Sequence, residues 1–210
     1  MAAKRKGQKK PGKAEQMGKQ VVYQIKVTLR DAHPPIWRRI LVTGDITLAR
    51  LHHILQSVMP WEAYHLHEFE VRGGLFGVPE PGPQLYDRGV HDETKTRLIQ
   101  LALGRGTKFT YEYDFGDCWE HDLLVEEVLE PEPGVRYPCC TGGERAAPPE
   151  DIGGVWGYER CLEALANPQD PEHELYRDWF PDSLDPEAFD LEETNEALKW
   201  LTDSRRGGKR

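Results

Sequence analysis

The side chains able to do chemistry gather in three short stretches of the chain. His65-Leu66-His67 sets two imidazoles two residues apart. On a strand that spacing puts both on one face, where they can share a metal ion. Asp117 or His121, a little further on, could complete the shell, so the candidate metal set is His65, His67, Asp117 and His121, with a divalent metal as the possible cofactor. The same residue types also serve as buried groups that satisfy one another by hydrogen bonds, with His65 at the entry to a strand.

Asp114-Phe115-Gly116 copies the metal-binding tripeptide of protein kinases, but no Gly-rich loop, strand Lys or catalytic-loop motif accompanies it. It reads instead as a hairpin turn in which Gly116 takes a positive φ and Asp114 or Asp117 accepts backbone N–H groups. Glu150-Asp151-Ile152-Gly153-Gly154 pairs two acids with two glycines. That suits either an acid/base pair beside a close backbone approach or a carboxylate-capped turn. A functional pocket, if the chain has one, is expected where the His65–Phe69, Tyr113–His121 and Pro148–Tyr158 segments meet. Its candidate residues are His65, His67, Asp114, Asp117, Trp119, His121, Glu150, Asp151, Trp156 and Tyr158, polar groups among aromatic walls. Trp37-Arg38-Arg39 could touch nucleic acid, but its two cations face opposite sides of a strand and one is expected to pair with an acid.

The elements that must position these groups are legible from periodicity. Val21, Tyr23, Ile25, Val27 and Leu29 alternate with polar residues, the period of a half-buried strand. Ile36–Val42 returns beside it after Pro34-Pro35. Leu48, Leu51, Leu55 and Val58 recur at helical spacing behind a Thr47 cap, and Pro60 ends the helix. His65–Val71 reads as a strand, residues 73–97 as a long irregular connection, Leu98–Leu103 as helix or strand, and residues 108–129 as a β-hairpin. Residues 131–154 read as an ordered loop and 157–166 as a helix stopped at Asn167-Pro168. Asp170-Pro171 and Asp185-Pro186 read as helix starts, and Leu191, Leu198 and Leu201 share one face of a last helix. The order strand, strand, helix, strand suggests a β-grasp-like N-terminal half. The whole is an α+β single domain with a mixed β-sheet and a helical C-terminal third.

A chain of 210 residues with 38% hydrophobic and 10% aromatic content can bury one core. No run approaches the roughly 18 apolar residues of a membrane span, and no apolar segment follows the basic N-terminus as a secretory signal would. A cytoplasmic protein is therefore expected. Cys118, Cys139, Cys140 and Cys161 form no CxxC pair and are expected to be free thiols. Residues 1–20 carry a net charge of +6 and residues 203–210 a net of +3, so the body between them holds −18 of the chain's −9. Both ends are expected to be disordered basic tails around a domain at 21–202. An acidic body excludes an ordinary duplex-DNA reader. Any nucleic-acid binding should be weak, salt-dependent and carried by Lys4, Arg5, Lys6, Lys9 and Lys10.

Several motifs stand in series: Pro34-Pro35-Ile36-Trp37-Arg38-Arg39-Ile40, Thr47-Leu48 with Leu51-His52, and His65-Leu66-His67-Glu68-Phe69. Tyr113-Asp114-Phe115-Gly116-Asp117 with Trp119 and His121, Pro148-Pro149-Glu150-Asp151 with Gly153-Gly154, and Gly157-Tyr158 follow in order. Over roughly residues 21–201 this resembles the plasmid pRiA ORF-three-like family, some of whose members are labelled TnpR-like proteins of insertion sequences. The Gly/Pro-rich stretch near residues 73–83 and the basic ends depart from the pattern. The resemblance implies an α+β domain of bacterial or archaeal type, sometimes linked to mobile elements, and carries no catalytic mechanism. The expectation is a non-enzymatic binding or accessory module with a protein or nucleic-acid partner. A metal-dependent enzyme, most plausibly a hydrolase, and a small-molecule site lined by Trp119, Trp156 and Tyr158 are the alternatives.

Overall fold

The computed structural model describes residues 21–79, 89–180 and 184–207. The expected N-terminal tail, with Lys4, Arg5, Lys6, Lys9 and Lys10, lies outside the described residues. The strands are β1 (Val22–Leu29), β2 (Trp37–Thr43), β3 (His67–Val71), β4 (Gly74–Gly77), β5 (His91–Asp92), β6 (Lys108–Tyr113), β7 (Trp119–Leu129) and β8 (Cys139–Glu144). The helices are α1 (Leu48–Val58), α2 (Gly154–Ala166), α3 (His173–Trp179) and α4 (Leu191–Gly207). One mixed sheet takes the strands in the order β5-β4-β3-β6-β7-β1-β2-β8. The described pairings are antiparallel except that of β4 with β5.

Alternation along the strands sorts the two faces. Tyr23, Ile25, Val27 and Leu29 of β1 are buried, as are Ile40 and Val42 of β2, Phe109, Tyr111 and Tyr113 of β6, and Trp119, Leu123 and Val125 of β7. Leu48, Leu51, Ile54, Leu55 and Val58 of α1 join the same core, with Tyr158 and Cys161 from α2 and Leu198 from α4. The opposite face carries charge. Arg39 donates to Glu126 at 2.6 and 3.0 Å, and Arg30 pairs with Glu120 and Asp122. Arg39 thus fills the expected role of a strand arginine paired with an acid. The Thr47 hydroxyl accepts the Arg50 N–H and caps α1, as its position predicts.

The sequence order strand, strand, helix, strand is present, but the β6–β7 hairpin is inserted between β1 and β3 in the sheet. The stretch expected to be irregular contains β4, and the expected loop at 131–154 contains β8, the edge strand beside β2. Both are short and glycine-containing, GLFG and CCTGGE, so neither shows the apolar alternation that marks a half-buried strand. Leu98–Leu101 is a 3₁₀ turn. Asp185-Pro186 opens a turn and not a helix, while Asp190 caps α4 by accepting the Glu192 and Glu193 N–H groups at 2.8 and 3.0 Å. Helix α4 runs on to Gly207, into the segment expected to be a tail, and Asp203 pairs with Arg136. The four cysteines are free thiols.

Candidate metal centre

Three loops meet at one end of the sheet. The first, between α1 and β3, is anchored by Trp61. Its indole stacks on Tyr113 with ring centroids 5.4 Å apart, and its Nε1 donates to the Pro148 carbonyl at 2.8 Å. This anchor carries the chain to His65, just before β3. The second is the β6–β7 turn. Asp114 closes it in the left-handed region at φ 56°, its N–H bonded to the Leu66 carbonyl at 2.9 Å. The left-handed residues of this turn are Asp114 and Cys118, so the φ reversal expected of Gly116 falls on its neighbours. The Asp114 Oδ1 accepts the Gly116 N–H at 2.9 Å, the bond expected of a turn aspartate. The third loop leads into α2. There Asp151 is also left-handed, at φ 59°.

The two aspartates and His65 converge. His65 Nε2 lies 3.2 Å from Asp151 Oδ1 and 3.6 Å from Asp114 Oδ2. One ligand atom from each residue falls within 4.8 Å of the others, and this is the metal-competent grouping among the described residues. Two ligands about 2.1 Å from a shared ion sit roughly 3.0–3.4 Å apart in octahedral or tetrahedral geometry, so the His65 distances are close to those of a preformed half-shell.

Neighbouring hydrogen bonds hold this arrangement. The Tyr64 hydroxyl donates to Asp151 Oδ2 at 2.7 Å, and this bond pushes its pKa up to about 12. The Tyr113 hydroxyl donates to Glu150 at 2.6 Å, and burial and then that carboxylate raise its pKa. Glu150 also accepts the Glu62 N–H at 2.7 Å, and Asp117 accepts the Gly153 N–H at 3.0 Å. Gly154 packs so tightly on the same turn that a Cβ there would lie 2.3 Å from the Asp117 carbonyl oxygen. Its φ of 71° is a second reason for glycine.

The three segments expected to form a site therefore do meet, but with a different ligand set. The expected set of His65, His67, Asp117 and His121 is not brought together. His65 precedes β3, so the strand period that would align it with His67 does not apply. His67 bonds Glu93 at 2.8 Å and stacks on His52. His121 is fully buried, its Nδ1 donating to the Trp119 carbonyl at 3.0 Å, and burial drives its pKa down to about 4. Asp117 ties the β6–β7 turn to α2. Trp119 and Tyr158 are core residues while Trp156 is 81% exposed, so these three do not line one pocket. Tyr64 and Glu93 were not legible as site or network members, because loop residues carry no periodic signal, whereas the helical spacing of His52 from Leu48 does place it near the buried stripe, where it is found.

Exposed apolar side chains adjoin the ligands: Tyr64, bonded to Asp151, and Leu66 and Phe115, next in sequence to His65 and Asp114. The same three loops carry Glu62, Asp114, Asp117, Glu150 and Asp151, an acidic group around one imidazole whose field draws cations.

A family model described as plasmid pRiA4b ORF-3-like protein matches residues 21–193. An uncharacterized protein, y4hQ, of Sinorhizobium fredii (strain NBRC 101917 / NGR234) is 36% identical over 192 residues, covering 88% of this chain and 97% of the relative. The crystal structure of a protein of unknown function, MM3350, from Methanosarcina mazei Go1 superposes with a TM-score of 0.74 at 40% identity, covering 83% of this chain and 97% of that one.

Proposed function

We propose that this chain, which belongs to the plasmid pRiA4b ORF-3-like family, is a binding module whose working surface is a divalent-cation centre at His65, Asp114 and Asp151. The observation that carries this reading is the convergence of three ligand atoms within 4.8 Å from three separate loops. One imidazole and two carboxylates suit a borderline-to-hard ion such as Mn²⁺ or Zn²⁺. Asp151 is exposed, which leaves positions on the ion open for an acidic group of a partner or ligand. The exposed Tyr64, Leu66 and Phe115 beside the ligands supply apolar contact around such a group.

The reading is tested by titrating the metal-free protein with Mn²⁺ and Zn²⁺ by calorimetry. Binding at one equivalent that disappears in His65→Ala is expected. Equal heats from the two proteins would refute the centre.

A metal-dependent hydrolase is the second reading, favoured by the same open face. A bound ion would lower the pKa of a coordinated water. Against it, each oxygen of Glu150 already accepts a hydrogen bond, from Tyr113 and Glu62, which stabilises the carboxylate and makes it a weaker base. The family description supports a role with a mobile genetic element. The narrower TnpR-like label rests on the motif resemblance alone.

A further inference from the structure

Away from the proposed metal centre lies a buried cation, Arg38, that makes no ion pair among the described residues. Arg38 of β2 is 3% exposed. Its Nε donates to the Val58 carbonyl at 3.0 Å, and its Nη1 to the Trp37 and Glu144 carbonyls at 2.9 and 3.0 Å. These acceptors are neutral, and Nη2 has no acceptor among the described residues. The ring of Phe189 covers the guanidinium, 4.5 Å from its centre. Burial lowers the pKa to about 10, so the group is still charged at neutral pH. Buried charges are normally paired, because desolvating an isolated one is costly.

Arg38 lines a cleft of about 450 Å³ between the end of α1, the segment after β8 and the start of α4. Val58, Pro60, Ala146, Ala147, Phe189 and Ala197 give it apolar walls, and Asp190 and Glu193 contribute acids. Gly143, paired with Arg38 across the sheet, leaves room for Phe189, since a Cβ there would lie 2.7 Å from the ring. The fold thus keeps a charged donor, a flat wall and an apolar cavity together, as small-molecule sites do.

We propose that this cleft binds a small organic monocarboxylate, its carboxylate on Arg38 and its apolar body along the α1–α4 walls. The class follows from the charges. A guanidinium with a free nitrogen recognises a carboxylate well. Asp190 and Glu193 oppose a second negative charge. The apolar walls match a short hydrocarbon body.

The test is calorimetric titration of the full chain with hexanoate, hexanamide and adipate. Hexanoate should bind, and hexanamide should bind about tenfold or more weakly, the loss expected when a charge-assisted hydrogen bond becomes a neutral one. Adipate should also be weaker than hexanoate. Arg38→Met should abolish the preference for hexanoate over hexanamide. Because Arg38 also holds three carbonyls, a second variant is needed. Ala197→Trp, at an exposed position of α4, fills the cleft and should abolish hexanoate binding while leaving the thermal midpoint in place. No hexanoate binding at millimolar concentration, hexanamide as good as hexanoate, adipate as good as hexanoate, or binding unchanged in Ala197→Trp would each overturn the proposal.

Discussion

The imidazoles of His52 and His67 lie face to face, ring centroids 3.5 Å apart and planes 2° from parallel. His52 Nδ1 is 2.7 Å from the Tyr111 hydroxyl, which also accepts from Gln56 at 3.0 Å. With Gln56 donating to it, the hydroxyl gives its own proton to His52, whose Nδ1 is then the acceptor. Burial first, and then the neighbouring His67 and His53, push the His52 pKa from 6.5 down to about 2. His121 falls from 6.5 to about 4, chiefly by burial. A histidine with a lowered folded-state pKa gives its full stabilisation above the unfolded value and loses it as pH falls. The window therefore opens near pH 6.5 and closes near 4 for His121 and near 2 for His52. Each such histidine should weaken the fold by about 1.4 kcal/mol per pH unit within its window. Urea midpoints at pH 7 and pH 5 check this, and a His121→Asn variant should flatten the slope. Equal slopes for variant and parent would contradict it.

The other side of the stack predicts a structural role for His67. Its Nε2 holds Glu93 at 2.8 Å, and both side chains are nearly buried. His67→Ala would strand the Glu93 carboxylate in the core, at a cost of about 3–5 kcal/mol. The double variant His67→Ala/Glu93→Gln should recover part of that loss in a denaturation curve. A single variant as stable as the parent would show that Glu93 finds water instead.

The strands whose residues alternate, β1, β2, β6 and β7, were legible in the sequence because one face of each is buried and the other is charged. Strands β4 and β8 were not, because a GLFG or CCTGGE stretch gives no alternation to read. The meeting of the three loops was legible from residue type alone, but the choice of ligands was not. That choice depends on where β3 starts. At His67 the strand period begins, which leaves His65 free to turn toward Asp114 and Asp151. The left-handed backbone at Asp114 and Asp151 is equally invisible, since aspartate is not the residue from which a positive φ is first expected. The Glu93 partner of His67 sits in a connection with no pattern of its own.

Close backbone approach predicts a glycine requirement at the foot of α2. A Cβ on Gly157 would lie 1.9 Å from the Ile152 carbonyl oxygen, and one on Gly154 would lie 2.3 Å from that of Asp117. Both contacts are with backbone, so neither neighbour can swing aside. Gly157→Ala should cost about 3 kcal/mol or more, at the severe end for single substitutions, and should loosen the loop that carries Asp151. A chemical denaturation series measures it. A loss below about 1 kcal/mol would mean that the loop can shift without unfolding.

Asp151 offers the sharpest separation of function from stability. It sits at φ 59°, a conformation that disfavours an ordinary side chain, and its carboxylate is 63% exposed. Its partners are the Tyr64 hydroxyl and the His65 ring, both of which can turn to water. Asp151→Gly removes a ligand and at the same time relieves the backbone. A position held only for the fold would lose stability on that change. Here the relief and the lost surface bonds nearly offset, so the midpoint should move by no more than about 0.5 kcal/mol in either direction. Divalent-metal affinity, in contrast, should fall at least about tenfold, because one of three protein ligands is gone. Asp117→Ala is the control. Its carboxylate accepts the Gly153 N–H and ties the hairpin to α2, so it should lose about 1–3 kcal/mol of stability and keep its metal affinity. Paired calorimetry and urea denaturation on the two variants decide the matter. If Asp151→Gly unfolds the protein and Asp117→Ala abolishes metal binding, the assignment of ligand and tether must be exchanged.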